Sequence, residues 1–162
     1  MSVYNDKHRL YREYVSELEA LHGERIFRSD DEVRAAADHY IGAEHARWMN
    51  IFDSGKRMVG FLIICRPPEC HEHADYYIAQ AYVEPDSRGQ GLMTARLNEY
   101  LEGHRGTYVL YVLTGNEGAA GFWDHFFDKA GYRHTDLREY PEKGAVQLAY
   151  KPKKCKRPQS AS

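Results

Sequence analysis

The chain has 162 residues, of which 43% are hydrophobic and 28% are charged, and its formal net charge at neutral pH is −2. This length and composition are ordinary for one globular domain with a buried core. No run of about 18 apolar residues occurs, which argues against a membrane span, and the polar N-terminus is unlike a secretory signal. The three cysteines lack scaffold spacing, so we expect a reducing, cytoplasmic environment.

Charge is unevenly divided between the body of the chain and its C-terminal tail. Residues 151–162 contain five basic residues and no acid, so residues 1–150 carry a net charge of −7. The tail lacks apolar periodicity, and we expect it to be disordered after its first residues. An acidic body argues against nucleic acid as the main partner and favours a cationic, amine-bearing substrate. Docking of the tail on an acidic partner remains an open alternative.

Two amphipathic helices are predicted at the start of the chain. The first has an apolar stripe at helical spacing and ends at Gly23. Its stripe consists of Leu10, Tyr14, Leu18 and Leu21. The second helix follows a capping box of Ser29 and Glu32 and spans roughly residues 30–41.

Three strands are predicted next. A hairpin pairs residues 45–52 with residues 57–65. Its second strand is almost wholly apolar from Val59 to Ile64, so we expect it to be covered on both faces. A third strand over residues 75–83 ends before Pro85, because proline cannot donate to a sheet ladder.

The remaining pattern alternates helices and strands. A helix with Met93 and Leu97 on its apolar face runs to about His104, and a strand follows over residues 107–113. An aromatic helix over residues 119–130 comes next. A hairpin of residues 132–137 and 146–150 closes the predicted order.

The loop between the third strand and its helix has the features of an anion site. Gly89 and Gly91 let the backbone approach a bulky group closely. The first N–H groups of the helix point outward with the positive end of the helix dipole behind them, and Arg88 adds a guanidinium. This combination predicts a phosphate or pyrophosphate site, although a tight turn that needs glycine gives the same pattern. The dinucleotide fingerprint and the Walker loop are both absent.

Taken as a whole, the segment Arg88-Gly89-Gln90-Gly91-Leu92-Met93 after Val83-x-Pro85 resembles the pyrophosphate loop of the GCN5-related N-acetyltransferase (GNAT) family. That family's loop reads Gln/Arg-x-x-Gly-x-Gly/Ala, and only the last position departs, with Met93. The segment Asp128–Arg133 is also similar to the family's Glu-Lys-Leu-Gly-Phe-Arg. The element order resembles the family's too, except for a short first strand, which could lie before Leu10 or around residues 25–27.

The resemblance implies an α/β (α+β) fold with a mixed, mostly antiparallel sheet and helices on both faces. It implies a single GNAT-type domain over residues 1–150, followed by the basic tail of residues 151–162. The implied activity is direct transfer of an acetyl group from acetyl-CoA to a primary amine of a small molecule or peptide. Two alternatives remain open: a CoA-binding module with weak or no catalysis, and an acetyltransferase of macromolecules. A homodimer is also open.

Positions for the cofactor are carried over from the family's motifs. The resemblance implies that the end of the third strand contacts the pantetheine arm, that the loop holds the pyrophosphate, and that the aromatic helix lines the other side. The implied set is Tyr82, Val83, Arg88, Gly89, Gln90, Gly91, Leu92, Met93, Asn116, Ala119, Ala120 and Trp123. For Trp123, a plain core position is an equally good interpretation.

The resemblance is weakest at the groups that move protons. The family commonly places a tyrosine acid one residue before Glu-Lys-Leu-Gly-Phe, and the matching residue here is Phe127. The helix before it also appears one turn longer than usual. Because a thiolate with a pKa of ~8.5 is a fair leaving group, water, Tyr132 or Tyr111 could replace the missing acid.

No clear general base occupies the family's position in the middle of the third strand. The matching residues are Tyr77 and Ala79, and Asp75 lies one step earlier on the same strand face. Tyr77 is the first candidate for a catalytic role, as a residue that orients water, with Asp75 and Glu84 as alternatives. The chain has 13 tyrosines, which is compatible with an aromatic-lined acceptor site.

A metal site is not expected. The segment Cys70-His71-Glu72-His73 has metal-ligand residue types. A structural zinc site needs four ligands at recognisable spacing, and no second cluster is present. A polar loop that faces the substrate is the favoured interpretation.

Overall fold

The protein is described by a computed structural model, which covers residues 2–66, 74–141 and 144–153. Its helices and strands, in chain order, are α1 (Val3–His22), α2 (Asp30–Gly42), β1 (Ala46–Phe52), β2 (Met58–Cys65), β3 (Tyr76–Val83), α3 (Leu92–Gly103), β4 (Tyr108–Leu113), α4 (Glu117–Lys129), β5 (Tyr132–Tyr140) and β6 (Ala145–Pro152). A short 3-10 turn, Pro85–Ser87, separates β3 from the loop that precedes α3.

Within the described residues, one six-stranded sheet has the order β1-β2-β3-β4-β6-β5. Strands β3 and β4 are parallel, and the other four neighbouring pairs are antiparallel. Helices α1 and α2 pack on one face, and α3 and α4 pack on the other. The predicted mixed, mostly antiparallel α/β fold is therefore confirmed.

Strand β2 contributes side chains to the hydrophobic core on both faces of the sheet. Every residue of this strand is buried. Phe61 and Ile63 pack with α1 and α2, whereas Leu62 and Ile64 pack with α3 and α4. The apolar run therefore supplies both faces of the sheet, as its lack of alternation predicted.

The central strand β3 changes its pairing at one residue. Ile63 of β2 pairs with Gln80, but the next residue, Ile64, pairs with Ile78, so Ala79 is an extra residue in a β-bulge. The parallel pairing of β3 with β4 ends at the same place, with Ile78 opposite Leu110. Beyond this point the two strands separate and leave a gap in the sheet.

Several element boundaries differ from the sequence prediction. Helix α1 begins at Val3 because Ser2 caps it: the Ser2 Oγ accepts the Asn5 N–H at 3.3 Å. Neither the residues before Leu10 nor residues 25–27 form the short first strand. At the other end, β6 continues past Tyr150 to Pro152, although the sequence pattern ended this strand at Tyr150. Residues 154–162 of the basic tail lie outside the described residues.

An ion-pair cluster ties α1 to the sheet. The carboxylate of Glu84 is only 9% exposed and accepts from Arg9 Nη1 at 2.7 Å and from Arg57 Nη2 at 2.6 Å. Burial raises the pKa of this carboxyl, but the hydrogen bonds from Arg9 and Arg57 together outweigh burial, and the net pKa is lowered from 4.5. Glu84 is therefore ionised at neutral pH and joins α1, β2 and the end of β3.

Replacing Gly60 by alanine should destabilise the fold. A Cβ at Gly60 would collide with the backbone oxygen of Tyr82 and lie 3.0 Å from Val83 Cα. We expect Gly60→Ala to lower the free energy of unfolding by about 1–3 kcal/mol, measured by urea denaturation. Gly103→Ala is the control, because a Cβ there meets nothing within 4 Å. Equal stability of the two variants would contradict this account of the packing.

Removing the charge of Glu84 should destabilise the protein at neutral pH and less so in acid. The lowered pKa means that Glu84 contributes stability above its unfolded pKa and loses that contribution as pH falls through its folded value. We expect the difference in free energy of unfolding between wild type and Glu84→Gln to shrink below about pH 4.5. Glu99→Gln is the control, because its 2.6 Å pair with Arg96 is at the surface. A difference independent of pH would contradict this role.

Candidate active site

A cleft crosses the sheet where β3 and β4 separate. Its volume is about 270 Å³. Helix α1 contributes Tyr14 and Leu18 from one face of the sheet, and α4 contributes residues from the other face. The separated strands supply the walls, including Tyr77 and Tyr111. The cleft is therefore lined from both sides of the sheet.

Strand β3 presents backbone groups to this gap. The Glu84 N–H donates to Val59 O at 2.8 Å. Because hydrogen-bonded and non-hydrogen-bonded pairs alternate in an antiparallel ladder, the N–H and C=O groups of Ala81 and Val83 face away from β2. The pairing with β4 has already ended at Ile78, so neither residue pairs with a neighbouring strand on that side. Ala81 lines the cleft, whereas the Val83 carbonyl accepts from Arg88 Nε.

The loop before α3 has the backbone geometry of an anion site. Gly89 and Gly91 have φ values of 81° and 75°, a left-handed conformation that favours glycine. Gly91 is the N-cap residue of α3 and has no side chain with which to cap the helix. The N–H groups of the first turn therefore remain directed toward the loop, where the helix dipole is positive.

The side chain of Arg88 is turned toward α1. Its Nε donates to Val83 O at 2.8 Å, and its Nη2 lies 2.6 Å from Glu17 Oε2. The guanidinium also lies over the ring of Tyr82, 5.6 Å from the ring centroid. Arg88 thus links the loop to β3 and α1, a contact that the sequence did not predict.

Other predicted loop residues divide between solvent and core. Gln90 is exposed, whereas Leu92 and Met93 pack against Val83 in a small apolar cluster beneath the loop. Tyr82 points to the α1 side and packs with Phe61. The loop backbone, and not these side chains, is the part that remains open to an anion.

Helix α4 lines the opposite wall of the cleft. Asn116 caps this helix, with its Oδ1 accepting the Ala119 N–H at 3.3 Å. Asn116, Ala119 and Trp123 all line the cleft, whereas Ala120 packs against the main core. Trp123 also belongs to that core and is 7% exposed, so its core position is confirmed, and its contact with a cofactor stays a prediction.

Phe127 lies in the core and not on the cleft. Its side chain is fully buried and stacks on Tyr150 at a centroid distance of 4.2 Å. Trp123, one helical turn earlier, occupies the α4 position that faces the cleft. Tyr132, a candidate replacement acid, is also buried and packs on Phe127 at 5.3 Å. Within α4, the indole of Trp123 therefore reaches the cleft, whereas Phe127 does not.

Two tyrosines stand on the cleft from opposite strands. The rings of Tyr77 and Tyr111 meet edge to face at 5.9 Å. The Tyr111 hydroxyl donates to Gln147 Oε1 at 3.1 Å, and the Tyr140 hydroxyl donates to the same oxygen at 3.2 Å. Burial, followed by the proximity of Tyr140, raises the pKa of Tyr111, so this phenol is neutral at pH 7.

The carboxylates of Asp75 and Glu84, the two alternative catalytic candidates, are held by partners outside the cleft lining. Asp75 lies just before β3, and its Oδ2 accepts the Thr107 N–H at 2.8 Å, which fixes the start of the β3–β4 pair. Glu84 belongs to the ion-pair cluster with Arg9 and Arg57. Neither residue is among those that line the cleft.

Sequence reasoning missed several cleft residues. Tyr14 and Leu18 were assigned only to the apolar stripe of α1, and Gln80 was not considered. Burial raises the pKa of Tyr14, which keeps its hydroxyl protonated. Their spacing along α1 and β3 was visible, but it could not show that α1 crosses the gap in the sheet.

The described residues do not meet the requirements of a clustered metal site or of a membrane-spanning helix. Among the residues that the structure describes, no group of three or more His, Cys, Asp or Glu could hold a metal ion. The Cys70–His73 segment lies outside them. No helix in the described ranges is both long and apolar enough to cross a membrane.

The cleft and loop together fit acetyl-CoA. An extended thioester arm needs a narrow channel with backbone donors and acceptors, which the free edge of β3 offers. A pyrophosphate needs N–H groups with a positive dipole, which the α3 N-terminus offers beside Gly89 and Gly91.

Similar proteins were found through a family model and solved structures. An acetyltransferase from Thermus thermophilus is 19% identical, with a TM-score of 0.64 and coverage of 91% of this chain and 92% of that one. A histone acetyltransferase and related acetyltransferase from Corynebacterium glutamicum is 16% identical, with a TM-score of 0.68 and coverage of 95% and 93%.

A spermidine N-acetyltransferase from Vibrio cholerae, solved with CoA and spermine, is 18% identical, with a TM-score of 0.59 and coverage of 91% and 88%. At these identities the structures show a shared fold. No curated protein matches the chain in sequence. The model of the acetyltransferase (GNAT) family matches residues 7–128. Because this match spans well over half of the chain, the protein belongs to the GNAT family of acetyl-CoA-dependent N-acyltransferases.

Proposed function

We propose that this protein transfers the acetyl group of acetyl-CoA directly to the primary amine of a small molecule. The observation that carries the proposal is the cleft that opens where β3 leaves β4 at the Ala79 bulge. Residues of α4 line it on one face of the sheet, and residues of α1 line it on the other. Donor and acceptor can therefore approach each other from opposite faces.

The chain's own backbone would bind most of the donor. The α3 N-terminus with Gly89 and Gly91 would hold the pyrophosphate, and Arg88 would add positive charge beside it. Asn116 and Trp123 would form the α4 wall of the arm's channel. When bound, acetyl-CoA supplies a thioester whose carbonyl is open to attack by an amine. The N–H of Ala81, directed into the gap, is suited to polarising that carbonyl.

Direct transfer is favoured over an acetyl-enzyme. The residues that line the described cleft include no cysteine or serine, the usual acyl-accepting nucleophiles. Cys65, the last residue of β2, is 4% exposed and is not among the residues that line the cleft. The amine itself would therefore be the attacking group.

Tyr77 and Tyr111 are the proposed catalytic side chains. Both stand on the cleft, and a phenol is neutral at pH 7 and able to donate a proton. Tyr111 would donate to the leaving thiolate, whose modest basicity demands only a weak acid. Tyr77 would orient a water that accepts the amine's proton. Asp75 and Glu84, held by Thr107 and by two arginines, would act as structural supports.

Charge reversal at Arg88 should weaken donor binding. We expect Arg88→Glu to raise the Kd of acetyl-CoA by about 10- to 100-fold, the range for losing a hydrogen bond to a charged group. Isothermal titration calorimetry measures this Kd. Arg105→Glu is the matched control, because it makes the same charge change at an exposed residue beyond the other end of α3. Glu17→Gln removes the ion pair but keeps Arg88, and it should preserve binding. Unchanged binding in Arg88→Glu would contradict the assignment.

Removing the hydroxyl of Tyr111 or Tyr77 should slow catalysis. We expect kcat to fall at least about 10-fold in Tyr111→Phe, and also to fall in Tyr77→Phe, with little change in the KM of acetyl-CoA. Tyr140→Phe is the control, because its hydroxyl bonds the same Gln147 oxygen but its ring does not line the cleft. Full activity in both cleft variants would refute their catalytic roles.

The decisive experiment is release of the CoA thiol with a panel of small amines. Turnover on a small amine supports the proposal. Binding of acetyl-CoA without turnover on any amine would instead favour a CoA-binding module. Turnover on proteins alone would favour a macromolecule-directed enzyme. A chain truncated after Lys153, which keeps β6 intact, should be as active as the full chain if the tail has no role.

A further inference from the structure

The residues that line the α1 side of the cleft limit the chemical class of amine that can bind there. This inference rests on the function proposed above. On the face of the sheet that α1 covers, the lining includes three tyrosine rings, the aliphatic Leu18 and one amide. The tyrosines are Tyr14, Tyr77 and Tyr111, the amide is that of Gln80, and the small Ala79 also packs on this face. Gln80 reaches toward α2, with its Nε2 3.5 Å from the Tyr40 hydroxyl. The side where the amine would enter is thus rich in aromatic rings, and the polar groups of these side chains are hydroxyls and one amide.

The lining is also uncharged. In the described part of the chain, no Asp, Glu, Lys, Arg or His lines the cleft. This contrasts with the charge of −7 on residues 1–150. The acidity of the body therefore does not reach the surface that the acceptor would contact.

Three of the acids near the cleft in sequence have partners elsewhere. Glu17, adjacent to Leu18 on α1, pairs with Arg88 at 2.6 Å. Glu84 accepts from two arginines, and Asp75 accepts from the Thr107 N–H. Using any of them to hold an ammonium would require breaking an existing contact. A second or third positive charge on the substrate would find no counter-charge in the lining.

We infer that the acceptor is a compact amine with a single ammonium and an aromatic or apolar body, of the arylalkylamine type, and not a polyamine. Aromatic rings attract one ammonium through their faces and also pack against an aromatic body. A volume of about 270 Å³, shared with the thioester end of the donor, limits that body to a small group.

The same chemistry accounts for the missing general base. An apolar environment disfavours the charged form of an amine and lowers its pKa toward neutrality. Because the ring faces replace only part of the ammonium's hydration, its transfer from water into the cleft would help to release its proton without a carboxylate or imidazole. The neutral nitrogen forms a C–N bond to the acetyl carbon, the C–S bond breaks, and one proton from nitrogen is balanced by one proton on the CoA thiol.

A substrate comparison tests this inference. The probes are 2-phenylethylamine, n-butylamine, 1,4-diaminobutane and spermidine, each assayed for CoA thiol release with saturating acetyl-CoA. We expect kcat/KM for 2-phenylethylamine to exceed that for 1,4-diaminobutane and spermidine by at least about 10-fold, because the added charge is left unpaired. The value for n-butylamine should lie between them. Equal or higher kcat/KM for the polyamines would overturn the inference, as would turnover on none of the four.

A charged substitution on α1 should change the preference. Leu18→Glu places a carboxylate on the cleft, and Leu18→Gln has nearly the same shape without the charge. We expect Leu18→Glu alone to shift the ratio of kcat/KM for 1,4-diaminobutane over 2-phenylethylamine upward by at least about fivefold. Leu21→Glu, on an exposed residue of the same helix that does not line the cleft, should leave the ratio unchanged. The same shift in Leu18→Gln or Leu21→Glu would overturn the inference.

The pH dependence of kcat tests the proton step, since kcat reports groups in the bound complex. With 2-phenylethylamine and its less basic 2,2-difluoro analogue, we expect the inflection of kcat to move to lower pH with the analogue. An inflection fixed for both amines would indicate a protein base and overturn this step.

Acetyl-CoA binding separates the two levels of the proposal. Calorimetric binding of acetyl-CoA with turnover only on polyamines would refute the acceptor class and leave acetyl transfer intact. Absence of acetyl-CoA binding would refute the proposed function, and the acceptor class with it.

Discussion

The whole arrangement depends on where backbone hydrogen bonding between β3 and β4 stops. A strand edge inside a sheet is normally paired, because unpaired N–H and C=O groups are costly when buried. Here the bulge at Ala79 shifts β3 relative to β2, and pairing with β4 ends at Ile78. Contacts on both sides of this gap fix the positions of β3 and β4. Strand β2 is buried on both faces behind it, and Asp75 fixes the start of the pair through the Thr107 N–H.

Helices α4 and α1 supply side chains that line the cleft between β3 and β4. Trp123 and Asn116 close one side, and Tyr14 closes the other. Phe127, one turn further along α4 than Trp123, packs in the core beside Tyr150, and neither residue carries a hydroxyl. The cleft is consequently rich in rings, and the polar side chains of its described lining are uncharged. Under the proposed function, such a site would act mainly by excluding water and orienting the reactants.

Sequence alone predicted most of the fold, since its strongest signals are local. The apolar run of β2, the Ser29 cap of α2 and the Gly89–Gly91 loop each specify their own element, and the structure agrees with them. The stripe of α1 is buried at Leu10, but Leu21 at its end is 58% exposed. The bulge at Ala79 could not be predicted, because it depends on the register against β2. For the same reason the sequence placed Asp75 and Glu84 among the catalytic candidates. Their partners Thr107, Arg9 and Arg57 are distant in the chain.

The ion pair between Arg88 and Glu17 has a consequence for the two halves of the site. It joins the donor loop to the helix that carries Tyr14 and Leu18, with only 2.6 Å between Nη2 and Oε2. A ligand that draws Arg88 toward a phosphate removes a restraint on α1 and so changes the free energy of arranging the opposite wall. Thermodynamic linkage then requires that a ligand on the α1 side changes affinity at the loop by the same factor. The proposed donor and acceptor sites would therefore be coupled in their binding free energies through the guanidinium of Arg88.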